Sequence, residues 1–126
     1  MKVIKKEANG LQLTKLIAKG MLDKKAQDVK ILDLRKVPQA IADFFVICSG
    51  SSAPQVDAIT DSVEDAVYIG TGENPYHKEG KTNKEWILLD YINVVVHIFK
   101  QEKRDYYAIE ELWGDAKITS VKDDQE

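Results

Sequence analysis

Trp86-Ile87-Leu88-Leu89-Asp90-Tyr91 and Val94-Val95-Val96-His97-Ile98-Phe99 stand two residues apart, and their β-branched and aromatic content predicts two strands joined through Ile92-Asn93. Strands that close must pair antiparallel. Upstream, Phe44-Phe45-Val46-Ile47-Cys48 is a continuous apolar run bounded by Gly50, as expected of a strand covered on both faces and therefore central in a sheet. Ser52-Ala53-Pro54-Gln55 has the form of a capping box, with Ser52 placed to accept from a first-turn amide and Gln55 to reach back. The helix it opens carries an apolar stripe of Val56, Ile59, Val63, Ala66 and Val67, while Asp57, Asp61, Glu64 and Asp65 lie on the rest of the cylinder. Gly70 and Gly72 end it. The stretch 72–84 holds so many breakers and charges that it leaves room for a short edge strand at most.

Farther out, Leu13, Leu16, Ile17, Ala18, Met21 and Leu22 recur at helical spacing and predict a first helix over 11–22, with Asn9 a candidate cap. Gly20, inside its last turns, costs about 1 kcal/mol against Ala. Val29-Lys30-Ile31-Leu32-Asp33-Leu34 reads as an imperfectly alternating strand. Tyr106 to Trp113 reads as a short helix capped by Asp105 and ended by Gly114. From Lys117 to Glu126 apolar residues are few and the end is acidic, which predicts fraying or disorder and leaves 1–116 as a single domain. This order of elements describes an α/β (α+β) sandwich, a mixed β-sheet flanked by helices.

The composition narrows function. In 126 residues, 18 Lys+Arg face 21 Asp+Glu for a net charge of −3, so the cationic excess that phosphate neutralisation requires is missing and autonomous nucleic-acid binding is disfavoured. A single cysteine, Cys48, excludes an internal disulfide and a Cys-rich metal cage and suits a reducing, cytoplasmic setting. No run approaches the roughly 20 apolar residues of a membrane span or the length of a signal peptide.

The residue types that carry chemistry are sparse. His97 lies in an apolar strand and reads as a buried, hydrogen-bonded structural residue; His77 and His97 have no ligand spacing, so no metal and no cofactor are expected. Cys48 reads as a small hydrophobe. Gly50-Ser51-Ser52, between strand and helix, could cradle a phosphate, but it matches neither the P-loop nor the three-glycine dinucleotide pattern. A group of large amphipathic residues, Trp86, Tyr91, Arg104, Tyr106, Tyr107, Leu112 and Trp113, is either core for the most part or of the kind that anchors protein interfaces, and of the adjacent Tyr106 and Tyr107 at least one must face outward.

An ordered set of motifs resembles one family, the ribosomal silencing factors, also called the iojap family. It comprises Leu22-Asp23-Lys24-Lys25-Ala26-Gln27-Asp28-Val29, Ala42-Asp43-Phe44 through Ser52, Gln55 to Ile59, Glu79-Gly80, Trp86 to Asp90, Val94 to Phe99, and Arg104-Asp105-Tyr106-Tyr107 to Leu112-Trp113-Gly114-Asp115-Ala116. The first ten residues and the acidic tail lie outside it. The resemblance implies a fold similar to nucleotidyltransferases without their catalytic carboxylates, and a cytosolic, non-enzymatic factor. Such a factor binds the large ribosomal subunit through ribosomal protein L-fourteen, blocks joining of the small subunit and lowers translation when nutrients are scarce. It also implies a homodimer when free. By the same resemblance Trp86, Tyr107 and Arg104 are partner-binding, with the two aromatics as surface anchors whose truncation leaves folding nearly unchanged. Asp43, Asp90 and His97 match positions whose role is structural or undetermined. The alternative is an atypical nucleotide-binding, nucleotidyltransferase-like enzyme using the Gly50-Ser51-Ser52 turn. Many members have Gly-Asp where this chain has Ile92-Asn93, and because Ile adopts left-handed backbone poorly, a different turn with an exposed Ile92 is expected.

Overall fold

The computed structural model describes residues 2–122, with side chains from Gly10 onward. In chain order the elements are α1 (Lys2–Asp23), β1 (Gln27–Asp33), β2 (Phe44–Gly50), α2 (Ala53–Thr71), β3 (His77–Glu79), β4 (Trp86–Asp90), β5 (Val94–Lys100), α3 (Gln101–Tyr107), α4 (Ile109–Leu112) and β6 (Lys117–Val121). The strands form one mixed sheet in the order β3-β4-β5-β2-β1-β6. Only β2 and β5 run parallel, and both are buried along nearly their whole length, as central strands covered on two faces must be. The β4–β5 hairpin is antiparallel, pairing Trp86 with Phe99 and Leu88 with His97.

Period-two alternation along these strands divides the core in two. Val46, Cys48, Ile87, Leu89, Val94, Val96 and Ile98 face α1 and α2. Leu32, Phe45, Ile47, Val95 and Phe99 face the other way, where the segment 34–42, α3 and α4 give only partial cover. Gly20 is explained by the first layer: a Cβ there would meet the Ser62 carbonyl oxygen and the Val63 Cα at 2.9 Å, and Ser62 Oγ donates to the Gly20 carbonyl at 2.8 Å. The glycine lets two helix backbones touch, which its helix-propensity cost hides at the sequence level.

Four expectations need correction. α1 starts at Lys2, so Asn9 lies inside it rather than capping it. Lys117–Val121 is not frayed but forms β6, pairing with Val29–Asp33 of β1; its ladder holds it, with Val121 packing against the core at its end, and residues 123–126 lie outside the described residues. The last helical segment is two helices, because Ala108 adopts left-handed backbone (φ 49, ψ 42), and Asp105 is interior to α3 rather than its cap.

The fourth correction concerns the hairpin turn. Ile92 is exposed, as expected, yet it does take the left-handed conformation (φ 77). Asp90 Oδ1 accepts from the Ile92 amide at 2.7 Å, and the Asn93 carbonyl accepts from the amides of Asp43 and Phe44 at 2.9 and 3.1 Å, so surrounding bonds impose the conformation. Replacing Ile92 by glycine relieves about 1–2 kcal/mol of Cβ strain against roughly 0.5–1 kcal/mol of added backbone entropy. Ile92→Gly is therefore expected to stabilise the domain by about 0.5–1 kcal/mol in denaturant unfolding, and a loss of stability would contradict the strain.

Candidate functional site

The half-covered face of the sheet carries a connected set of rings. At its base are Phe45, His97 and Phe99, all buried, contributed by the central strands. Trp86, opposite Phe99 across the β4–β5 ladder, stacks on it with ring centroids 5.0 Å apart, and Tyr107, the last residue of α3, lies 4.6 Å from Trp86. Trp113 meets Phe45 edge to face at 5.9 Å. Trp86, Leu88, Tyr107 and Trp113 are half-buried, while Tyr106 and Leu112 on the rim are 77% and 76% exposed. Apolar and aromatic surface thus grades from a buried base outward to an exposed rim.

His97 holds this base together. Trp86 Nε1 donates to His97 Nδ1 at 3.0 Å, which fixes the indole ring and places the imidazole proton on Nε2. Nε2 is buried and has no partner among the described residues. Burial lowers the His97 pKa to about 3 from the ordinary 6.5. The unfolded chain therefore binds a proton at a pH where the folded one does not, so stability is full above about pH 6.5 and is lost as pH falls toward 3. The expected slope is about 1.4 kcal/mol per pH unit. Unfolding of the wild type and His97→Phe at pH 7, 6 and 5 tests this: the pH dependence across that window is expected to shrink in the variant, and an unchanged slope would assign it elsewhere.

Arg104, expected on the binding surface, is instead 7% exposed. Its Nε and Nη2 donate to the two Glu110 carboxylate oxygens at 3.0 Å each, and Nη1 donates to the Asp28 carbonyl at 2.7 Å and Ser49 Oγ at 2.9 Å. Arg104 holds the Glu110 carboxyl below the usual carboxylate range. Four bonds inside the domain occupy the guanidinium. Tyr91, also a candidate anchor, is buried in the other layer beneath α1 and α2. Asp43 and Asp90 sit at the turn end of the sheet: the Asp43 backbone bonds to Leu34 and Asn93, and the Asp90 side chain closes the hairpin turn. Sequence reasoning did not find Phe45, Phe99 or Glu110. The first two were legible only as core, and Glu110 reaches Arg104 only because the chain breaks at Ala108.

The Gly50-Ser51-Ser52 turn is occupied by its own cap. Ser52 Oγ accepts from the Gln55 amide at 3.2 Å, and Gln55 Oε1 accepts from the Ser51 amide and hydroxyl at 2.7 and 2.9 Å. Gln55 Nε2 donates to the carbonyls of Lys24 and Lys25, both at 3.1 Å, tying the turn to the end of α1. Gly50 packs closely on the start of α2: a Cβ there would lie 3.1 Å from Val56 Cγ2 and 3.3 Å from the Val56 amide nitrogen, so Val56 would have to shift to accept one. A phosphate at this turn would have to displace the Gln55 and Ser52 side chains from the Ser51 and Gln55 amides. Burial raises the Cys48 thiol well above its ordinary pKa. Among the described residues no group of three or more His, Cys, Asp or Glu side chains is arranged to hold a metal, and no helix is long and apolar enough to cross a membrane.

Comparison with known proteins adds an independent line. Residues 7–126 match the family model described as "Ribosomal silencing factor during starvation". The chain is 36% identical over 113 residues to the ribosomal silencing factor RsfS of Bacillus subtilis, covering 90% of this chain and 94% of that one. It is 39% identical over 111 residues to that of Halalkalibacterium halodurans, covering 88% and 93%. A crystal structure of a protein from Chromobacterium violaceum superposes with a TM-score of 0.77 at 31% identity, over 90% of this chain and 92% of that one.

Proposed function

Because the chain belongs to the ribosomal silencing factor family, we propose that it docks on the large ribosomal subunit through ribosomal protein L-fourteen, using the ring-bearing sheet face, and prevents the small subunit from joining. The proposal includes a cytoplasmic setting, repression of translation under nutrient limitation, and pairing with a second copy when free. No catalytic step is required. A domain about 30 Å across, held through roughly 800 Å² of its own surface, excludes a second large body from the same place. Trp86 and Tyr107 are the anchors; Arg104 acts from inside, holding the helix that carries Tyr107.

The observation that carries this reading is the coincidence of rings and charge. Gln101–Asp115 contains five acids, Glu102, Asp105, Glu110, Glu111 and Asp115, against two bases, Lys103 and Arg104, a local balance of −3. The segment that presents Tyr106, Tyr107, Leu112 and Trp113 is thus itself acidic, as is α2 on the other face of the sheet, which carries Asp57, Asp61, Glu64 and Asp65 and no base but presents no comparable set of rings. A basic protein surface complements such a segment, whereas neighbouring phosphates repel it, which aids steering and limits misplacement. Co-sedimentation with purified large subunits over a salt titration is the test. Binding with a shallow salt dependence is expected, and a steep slope of the kind released counterions produce would point to RNA instead.

A further inference from the structure

We propose that Glu110 is a positioning residue for the docking surface: by gripping Arg104 across the break at Ala108 it fixes the angle between α3 and α4, and so sets Tyr107 and Trp113 on the sheet face. This inference rests on the docking reading given above. Both Glu110 oxygens engage Arg104 at 3.0 Å, and Lys30 Nζ lies 3.6 Å from Oε2. On the far side, Arg104 Nη1 is tied to the Asp28 carbonyl and Ser49 Oγ, at the ends of the strands. The guanidinium is thus a rivet with the sheet at one end and α4 at the other.

Helix geometry alone does not supply this restraint. Side chains six apart on a continuous helix do not face each other, so the contact exists only in the broken arrangement. α4 is four residues long and its N-cap makes no side-chain bond, too short an element to hold its own direction. Tyr107 and Trp113 lie on either side of Ala108, yet their partner rings, Trp86 and Phe45, belong to the strands. A pivot at Ala108 would move Trp113 relative to Tyr107 while leaving the ring base in place. Glu110 makes none of the ring contacts itself, so its influence on docking runs through Arg104.

The full chain carrying Glu110→Gln tests this with two readouts, amide exchange across 101–116 and co-sedimentation with purified large subunits, with Trp86→Ala measured alongside. Exchange over 104–113 is expected to accelerate about ten-fold or more while β2 and β5 amides keep their protection. Binding is expected to weaken about ten-fold or more. Unchanged exchange would overturn the proposal, as would accelerated exchange with wild-type binding. If Glu110→Gln loses cooperative unfolding, Glu110→Asp, which keeps the charge but is one methylene short of the bidentate grip, is judged by the same two readouts. Wild-type binding by Trp86→Ala would count against the docking surface; the clamp would then stand or fall on exchange alone.

Discussion

Arg104→Ala is expected to lower the unfolding free energy by about 3–5 kcal/mol, the combined loss of a partly buried ion pair with Glu110 and of the two hydrogen bonds that the buried guanidinium donates to Asp28 and Ser49. The substitution leaves the Glu110 carboxylate without its bidentate partner and deprives the Asp28 carbonyl and Ser49 Oγ of a donor. In a domain of this length each kcal/mol moves the melting temperature by roughly 3–5 °C, so a fall of about 10–20 °C follows. Arg104→Lys is expected to fall between, because an ammonium keeps the charge but cannot reproduce the fork. The contrast with a surface cation is large: an exposed Arg serving a partner would change unfolding by less than about 0.5 kcal/mol. A small loss in denaturant titration would return Arg104 to the binding surface, where the family resemblance places it.

Trp86→Ala and Tyr107→Ala are expected to weaken binding to the large subunit by about 2–4 kcal/mol each, the range of aromatic anchors at the centre of an interface. The two differ in what else they disturb. Trp86 is hydrogen-bonded to His97 and stacked on Phe99, so its removal leaves His97 Nδ1 unpaired as well, and a further stability loss of about 1–3 kcal/mol is expected. That revises the expectation that Trp86 can be truncated at little cost to the fold. Tyr107 rests on the outside of Trp86 and makes the cleaner test. Leu112→Asp on the exposed rim adds to a negative segment and changes almost no packing, so its effect on binding reads complementarity without a stability term. Normal binding by all three variants at a temperature where each is folded would move the docking surface elsewhere.

The parts of the fold that obey a simple period were legible before any coordinates. The hairpin, the doubly covered strand Phe44–Cys48 and the capped helix after it stand where alternation and capping chemistry put them, because there local preference and tertiary packing agree. The misses share a cause. β6 is an edge strand held by backbone bonds to β1, which no side-chain pattern records. The break at Ala108 places an alanine in left-handed backbone with no glycine to announce it, and Ile92 does the same at a β-branched residue. In both cases contacts distant in sequence override a local preference. The site shows the same division. Trp86 and Tyr107 were legible as surplus aromatics, and they do meet. The role of Arg104 depends on a partner across a helix break, which spacing along the chain does not reveal.

Exclusion of the small subunit is read out by subunit joining itself. Purified small and large ribosomal subunits are mixed at a magnesium concentration that supports joining, with and without the protein at the lowest concentration at which the wild type saturates large subunits, and resolved on a sucrose gradient. The predicted result is that the wild type co-migrates with large subunits and the joined peak collapses, while Tyr107→Ala, folded but weakly bound, leaves the joined peak intact. Large subunits that carry the wild-type protein at full occupancy and still join small subunits would show that docking does not exclude the small subunit.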